Sequence, residues 1–184
     1  MQTTRSASYP QAGLLPEEID DPNSGQRVVF RRNDPEALEV DLYVKPGAFV
    51  REHIHPSQEE TFAVVAGTFT INVDGERRPI PVGSSDVARP RTKHGFDPLA
   101  GEVQLLVTVR PALDLAGYFR DFLTLSRDGR LHVPAKGLPK PILLFAMLMH
   151  RYRREIAAPG IPVWLQRPVW RALAWLGRLT GQKL

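Results

Sequence analysis

The chain has 184 residues, of which 42% are hydrophobic, and it carries a formal net charge of +4. This length suffices for one domain with its own core plus an appendage. Because the sequence contains no cysteine, it excludes disulfides, zinc ribbons and thiol catalysis, and any metal must be held by nitrogen and oxygen atoms.

The charge is divided unevenly along the chain. Residues 1–118 carry 12 Lys and Arg against 17 Asp and Glu, a balance of −5. Residues 119–184 carry 12 against 3, a balance of +9. The second part of the chain should therefore present a basic surface that the first part does not.

The N-terminal segment, residues 1–26, is polar and rich in Pro and Ser, and we predict that it is flexible. It has no apolar stretch of the kind found in signal peptides. The longest apolar run, residues 142–149, is too short to span a bilayer. We therefore expect a cytoplasmic protein.

Residues 27–111 show the period-two pattern of β-strands. Apolar and polar residues alternate in "LEVDLYVK" and "EVQLLVTV", and Asp74-Gly75 favours a tight hairpin between "TFTINV" and "ERRPIPV". Glycine and proline separate the strands, and 31 residues of the chain are of these two types. The pattern predicts roughly eight short strands in a β-sandwich or small barrel.

Residues 112–184 change to helical periodicity. One face of the first predicted helix, which ends near Gly129, carries Leu115, Tyr118, Phe119 and Phe122. A second helix should begin around Pro141, because proline suits the first helical turn. We predict that residues 112–184 form a helical, basic C-terminal extension.

The third predicted helix, residues 167–184, has an apolar stripe flanked by two tryptophans. The stripe consists of Val169, Leu173, Leu176 and Leu179. Such short helices need a packing partner in water. We favour a protein partner, either the outer face of the barrel or a second subunit of a homodimer, with the extension helping to close the barrel mouth. A membrane surface is the alternative, because interfacial helices combine tryptophans, leucines and cations in this way. Nucleic acid is disfavoured, because no short Gly-containing turn joins two helices of suitable length.

The densest group of chemically active residues lies near the first strands. His53 and His55 are two residues apart, so on a strand both point to the same face. Glu60 follows on the next strand, roughly 5 Å away. Two imidazoles and a carboxylate suit Fe, Mn, Ni, Co or Zn, and this set is typical of non-haem iron oxygenases.

The segment "GAFVREHIHPSQEETFAVVAG" resembles the first motif of the cupin superfamily. The motif positions are Gly47, His53, His55, Glu60 and Gly67, and every spacing is met. The resemblance also selects Glu60 over its neighbour Glu59, which should point to solvent.

The segment "GSSDVARPRTKHGFDP" resembles the second cupin motif and supplies His94 as a fourth ligand. It departs from the motif at Arg89, Arg91 and Pro98, where proline, glycine and asparagine are usual. The departures leave the turn around Arg91 open. The two arginines flank Pro90 and are candidates for binding an anionic substrate.

The resemblance implies an all-β jelly-roll barrel with one divalent metal inside, bound by His53, His55, Glu60 and His94. We favour Fe(II), with Mn, Ni, Co and Zn also compatible. The ligand set favours an oxygenase or dioxygenase acting on a small organic molecule, with Glu60 also serving as a catalytic acid–base. A redox-neutral isomerase, cyclase or decarboxylase is the second interpretation, and a non-catalytic small-molecule-binding cupin is the third.

Strand parity predicts which side chains surround the metal. The predicted substrate-lining residues are Phe49, Arg51, Phe62, Val64 and Phe96. The pocket should therefore be apolar and partly aromatic, with Arg51 as an anion contact. His132 and His150 lie outside the β block and are interpreted as ordinary loop and helix residues.

Overall fold

The structure, a computed structural model, describes residues 17–184. In this range the chain forms ten strands followed by three helices. The strands are β1 Glu18–Asp21, β2 Gln26–Asn33, β3 Leu38–Val44, β4 Val50–His53, β5 Glu59–Ala66, β6 Phe69–Val73, β7 Glu76–Ile80, β8 Ser85–Ala88, β9 His94–Phe96 and β10 Val103–Arg110. The helices are α1 Leu115–Arg127, α2 Ile142–Arg151 and α3 Val163–Leu179.

The strands form two antiparallel sheets that share one core. The first sheet has the order β1-β2-β3-β10-β5-β8 and the second the order β4-β9-β6-β7. Alternate residues of each long strand are buried, as in β10, where Leu105 and Val107 point inwards and meet Phe69 and Ile71 of the other sheet in a single cluster. This is the predicted jelly-roll barrel, so the fold class is confirmed.

The hairpin predicted at Asp74-Gly75 is present between β6 and β7. Both residues have positive φ angles, 51° and 90°, and Val73 pairs with Glu76 across the turn. A two-residue turn with two positive φ angles matches the twist of the flanking strands, which explains why Asp-Gly is favoured there.

The sheet begins earlier than residue 27, where the sequence places its start. β1 pairs with β2 from Glu18↔Val29 to Asp21↔Gln26, and Ile19 is buried. The prediction of a flexible segment is therefore wrong for residues 18–21, while residues 1–16 lie outside the described range. The strand is short and acidic, and its backbone pairing with β2 leaves no local signal in the sequence.

Helices α1 and α2 lie where the sequence predicts them. Gly129 closes α1 with a φ of 68°, and its N–H donates to the Ser126 carbonyl. The aromatic face of α1 packs against the barrel core, and the buried side of α2 builds a second cluster around Leu144, Leu148 and Tyr152. The division of the chain into residues 27–111 and 112–184 stays a prediction.

Helix α3 differs from the prediction in its start and in its packed face. It begins at Val163, because the Pro162 carbonyl already accepts the N–H groups of Leu165 and Gln166. The predicted stripe does not pack inwards. Instead α3 contacts α2 through Trp170, whose ring meets Phe145 edge to face, and through Gly177, which lies so close that an added Cβ would stand 2.8 Å from the Met147 sulfur. Small residues let two helix backbones approach more closely than leucines do.

Within residues 17–184, α3 and the other helices all fall short of the length and apolarity needed to cross a membrane.

Candidate metal centre

The four predicted ligands meet at one point. His53 ends β4, His55 follows it in the chain, Glu60 lies in β5, and His94 begins β9. One nitrogen or oxygen atom of each lies within 4.8 Å of the corresponding atoms of the others. All four side chains line a single cavity.

The two sheets bring these residues together by strand pairing. His53 and His94 are direct partners across β4 and β9 in the second sheet. Glu60 comes from the opposite sheet, where it pairs with Ala88 of β8 and Val109 of β10. Successive side chains of β5 point to opposite faces of the sheet, so Glu60 is buried and its neighbour Glu59 is exposed, as the sequence predicts.

Backbone carbonyl groups orient all three histidines. The Nδ1 atom of His53 contacts the Arg51 carbonyl oxygen at 2.9 Å, that of His94 contacts the Thr92 oxygen at 2.9 Å, and that of His55 contacts the Glu155 oxygen. A carbonyl oxygen only accepts hydrogen bonds, so each Nδ1 carries a proton. In the neutral ring the lone pair then lies on Nε2, as in metal-binding histidines whose other ring nitrogen donates to a carbonyl.

The contacts at the centre of the cluster fit a bound cation. Glu60 Oε2 lies 3.1 Å from His55 Nε2 and 2.8 Å from His94 Nε2. With the Nδ1 protons in place, these neutral rings would turn lone pairs towards a carboxylate, and only an additional proton or a cation relieves that repulsion. Imidazole and carboxylate donors suit a divalent transition metal, so the residues present fit the implied ion.

The charge states of the cluster follow from its burial. Desolvation, together with the neighbouring His94 and His55, lowers the pKa of His53 to about 3, so this ring is neutral at pH 7. Burial alone would raise the pKa of Glu60, but hydrogen bonds and charge from His55 and His94 outweigh it and lower that pKa below its usual range. Burial likewise opposes protonation of His55, but Glu60 outweighs it and raises the pKa of His55.

The C-terminal extension takes part in the site, which the sequence did not reveal. Ile54, between His53 and His55, forms an antiparallel bridge with Ala157, with backbone hydrogen bonds of 3.0 and 2.9 Å. The Glu155 carbonyl oxygen holds His55, as described above. The buried Glu155 carboxylate accepts the N–H of Asp114 at 3.3 Å and thereby contacts the start of α1. Only the folded chain brings residues about a hundred positions apart together, so no local pattern signals this contact.

The ligand cluster opens into a cavity of about 910 Å³. Of the residues predicted to surround the metal, Phe49, Phe62 and Phe96 lie in its wall. The aromatic face of α1 adds Tyr118, Phe119 and Phe122, which the sequence marked only as a packing face. Burial raises the pKa of Tyr118, so its phenol keeps its proton. The cavity is therefore mostly apolar and aromatic around a small polar centre.

Two predicted lining residues occupy other places. Val64 shares the face of Glu60 but lies farther along β5, where it is buried in the barrel core and outside the cavity wall. Arg51 borders the cavity but is exposed, and its Nη1 donates to the Gly137 carbonyl at 2.9 Å. The strand pairing shifts register between Val50 and His53, so strict parity does not hold there.

The turn around Arg91 keeps a left-handed conformation although glycine is absent. Arg91 has a φ of 67°, and its N–H donates to the His55 carbonyl at 2.8 Å. This hydrogen bond links the turn to the segment that carries the ligand His55. Arg89 and Arg91 are exposed, and neither belongs to the cavity wall, so the structure does not support them as substrate contacts. His132, interpreted from the sequence as a loop residue, does border the cavity, and His150 lies in α2.

Comparisons with known proteins agree with this architecture. Residues 41–109 match the family model of the cupin domain. An RmlC-like cupin from Shewanella frigidimarina NCIMB 400 is 26% identical and has a TM-score of 0.51, with 63% of this chain and 99% of that chain covered. KdgF from Halomonas sp. is 24% identical and has a TM-score of 0.50, with 53% and 89% covered. Comparison with curated protein sequences gives no significant match. These similarities concern the fold, and one fold hosts many reactions, so the reaction depends on the residues of the site.

Proposed function

We propose that this chain, which belongs to the cupin superfamily, is a mononuclear metal-dependent enzyme that acts on a small, largely apolar organic molecule by dioxygen chemistry. One observation carries the proposal: three imidazoles and a carboxylate converge in the wall of an aromatic cavity. This donor set favours Fe(II), and Mn, Ni, Co and Zn are also compatible.

The protein side of the site is arranged to hold a cation. Glu60 is ionised and supplies the negative charge, while the carbonyl contacts of His53, His55 and His94 fix the ring orientations. A ferrous ion held by these four residues would supply redox chemistry towards dioxygen and Lewis acidity towards a substrate oxygen. Because Glu60 holds no proton at neutral pH, its part in acid–base chemistry begins as a proton acceptor.

The cavity wall indicates the class of substrate. Phe49, Phe62, Phe96 and Phe122 offer apolar and aromatic contacts, and a volume of about 910 Å³ admits a molecule of drug-like size. The protonated Tyr118 phenol can donate a hydrogen bond to an oxygen atom of the substrate. These features support a molecule with an aromatic or alkyl body and one oxygenated end, such as a phenol or a diketone.

The decisive experiment separates oxygen chemistry from redox-neutral chemistry. The full chain is loaded with Fe(II), assayed against phenols, diketones and keto acids with an oxygen electrode, and assayed again under strict anaerobiosis. We expect substrate loss to match oxygen consumption and to stop without oxygen. Turnover at an unchanged rate without oxygen would overturn the oxygenase proposal in favour of a redox-neutral isomerase, cyclase or decarboxylase. Stoichiometric ligand binding without turnover in either condition would instead indicate a non-catalytic binding protein.

A further inference from the structure

Helix α3 has an exposed apolar stripe on the side facing away from α2. The stripe, called the α3 stripe below, consists of Trp164, Leu165, Val169, Trp175, Leu176 and Leu179, each between 43% and 74% exposed. At 100° per residue these positions occupy an arc of about 140°. The opposite side, with Gln166, Ala174 and Gly177, is buried against the rest of the chain. The stripe is therefore a continuous surface and not a scatter of single exposed residues.

All charged side chains in the segment that contains α3, residues 156–184, are positive. Arg167, Arg171 and Arg178 are exposed and lie within an arc of about 40° beside the two stripe tryptophans. Residues 156–184 contain four Lys and Arg and no Asp or Glu. Among the ion pairs described for residues 17–184, none involves these three arginines. Their charges are thus available to a partner with negative charge.

We propose that the α3 stripe docks on the surface of an anionic lipid bilayer, with α3 lying parallel to the membrane plane. Tryptophan favours the headgroup region, leucine and valine favour the acyl boundary, and flanking arginines reach lipid phosphates. Because α3 has only 17 residues and does not qualify as a spanning helix, a parallel orientation is the one that buries its apolar side.

Exposed apolar side chains also occur at the rim of the cavity. Ile161, two residues before α3, is 49% exposed, and Leu138 is 72% exposed. Both border the cavity that contains the ligand cluster. Ile161 thus places an exposed apolar residue of the cavity rim two positions before the first residue of α3.

A second copy of the chain fits this surface less well than lipid does. A two-fold contact through the α3 stripe would bring the three arginines of each copy close together. Since residues 156–184 carry no acidic side chain, neither copy offers a partner from this segment, and like charges would face each other. A homodimer that pairs through its sheets would leave the α3 stripe free.

The three tryptophans of the chain, Trp164, Trp170 and Trp175, all lie in α3, so tryptophan fluorescence reports on this helix alone. The full chain is titrated with vesicles of pure phosphatidylcholine and with vesicles of phosphatidylcholine and phosphatidylglycerol in equimolar amounts. We expect a blue shift and co-sedimentation with the anionic vesicles only, and weaker binding as the salt concentration rises.

Two matched pairs of variants test the two parts of the surface. Trp175→Glu should weaken binding to anionic vesicles by at least about tenfold, whereas Val82→Glu, at an equally exposed position of the barrel, should not. Arg171→Gln combined with Arg178→Gln should reduce the preference for anionic lipid, whereas Arg77→Gln combined with Arg89→Gln should leave it unchanged. Far-UV circular dichroism verifies that each variant remains folded.

The same measurements define what overturns the proposal. A wild-type chain that ignores anionic vesicles and stays monomeric in sedimentation velocity overturns it. Absence of vesicle binding, together with self-association that Trp175→Glu abolishes, also overturns it and assigns the α3 stripe to a second copy.

Discussion

His53, His55 and His94 each direct Nδ1 to a backbone carbonyl, and the Nε2 atoms of His55 and His94 face the Glu60 carboxylate. Because the carbonyls belong to the backbone, the ring orientations depend on the path of the chain and not on a partner side chain. The only acidic member of the set is Glu60, whose carboxylate faces two of the rings. Loss of the Glu60 carboxylate should therefore weaken metal binding more than it lowers the stability of the fold.

Replacing Glu60 by Gln should weaken metal binding by at least about a hundredfold, since it removes the only anionic ligand and leaves an amide in its position. The adjacent Glu59→Gln serves as the control, because Glu59 is exposed on the other face of β5. Metal content of the purified proteins and competition with a chelator provide the measurement. Equal affinity of the two variants for metal would contradict the assignment of Glu60 as a ligand.

Metal affinity should also depend on pH through His55. In the metal-free site Glu60 raises the pKa of His55, so below that pKa a proton occupies the nitrogen that the metal requires. Affinity should then fall as pH falls, by up to about tenfold per pH unit for one displaced proton. His53, with a pKa of about 3, stays neutral and does not contribute between about pH 6 and 8. Isothermal titration with metal over this range measures how affinity changes with pH. His132→Gln is the control, and its metal affinity should show the same pH dependence as the wild type. An affinity independent of pH would contradict the prediction.

At the scale of elements, the close approach of β4 and β9 determines how His53 meets His94. Gly95 allows this approach, because a Cβ at that position would stand 2.6 Å from the Val50 carbonyl oxygen and 2.9 Å from the Glu52 nitrogen. Both contacts are with backbone atoms, which cannot turn aside as a flexible side chain can.

Gly95→Ala should therefore push β4 away from β9 and separate the two histidines. We expect a loss of about 1–3 kcal/mol in the free energy of unfolding, typical of overpacking, together with weaker metal binding. Gly101→Ala is the matched control, since a Cβ there meets no atom within 4 Å. Chemical denaturation and metal titration give the two readouts. A Gly95→Ala protein with unchanged metal affinity would show that the strand approach does not govern the site.

At the scale of the whole molecule, patterns of short range were predictable and contacts of long range were not. The period-two strands, the Asp74-Gly75 turn and the helix end at Gly129 follow from local propensity, and the structure contains all three. The resemblance to two cupin motifs likewise identified four residues that the fold brings together, three from the first motif and His94 from the second.

The remaining features depend on which surfaces meet in three dimensions. Periodicity located an apolar stripe on α3, but the face that packs on α2 is the one with Ala174 and Gly177, because close backbone approach outweighs side-chain size there. The register shift in β4 exposes Arg51, and the pairing of Ile54 with Ala157 joins distant segments. Neither feature leaves a local trace in the sequence.

The pairing of Ile54 with Ala157 couples the C-terminal extension to the ligand cluster. The extension holds His55 through the Glu155 carbonyl and holds Ile54 through two backbone hydrogen bonds. A metal that fixes His55 should therefore also stabilise this segment, and the reverse holds by thermodynamic linkage.

Removing the metal with a chelator should accordingly loosen residues 152–158 more than the barrel. The amide of Ala157, which donates to the Ile54 carbonyl, should lose at least about tenfold in hydrogen-exchange protection, because a ligand at a hundred times its Kd stabilises its bound state by about 2.7 kcal/mol. The amide of Val107 in the central strand β10 should change less, since it exchanges only through larger openings of the core. The His55→Ala protein, measured with and without metal, is the control, and its extension should no longer respond. Exchange that increases equally at Ala157 and Val107 would mean that the metal stabilises the barrel as a unit and that the extension is not specifically linked to it.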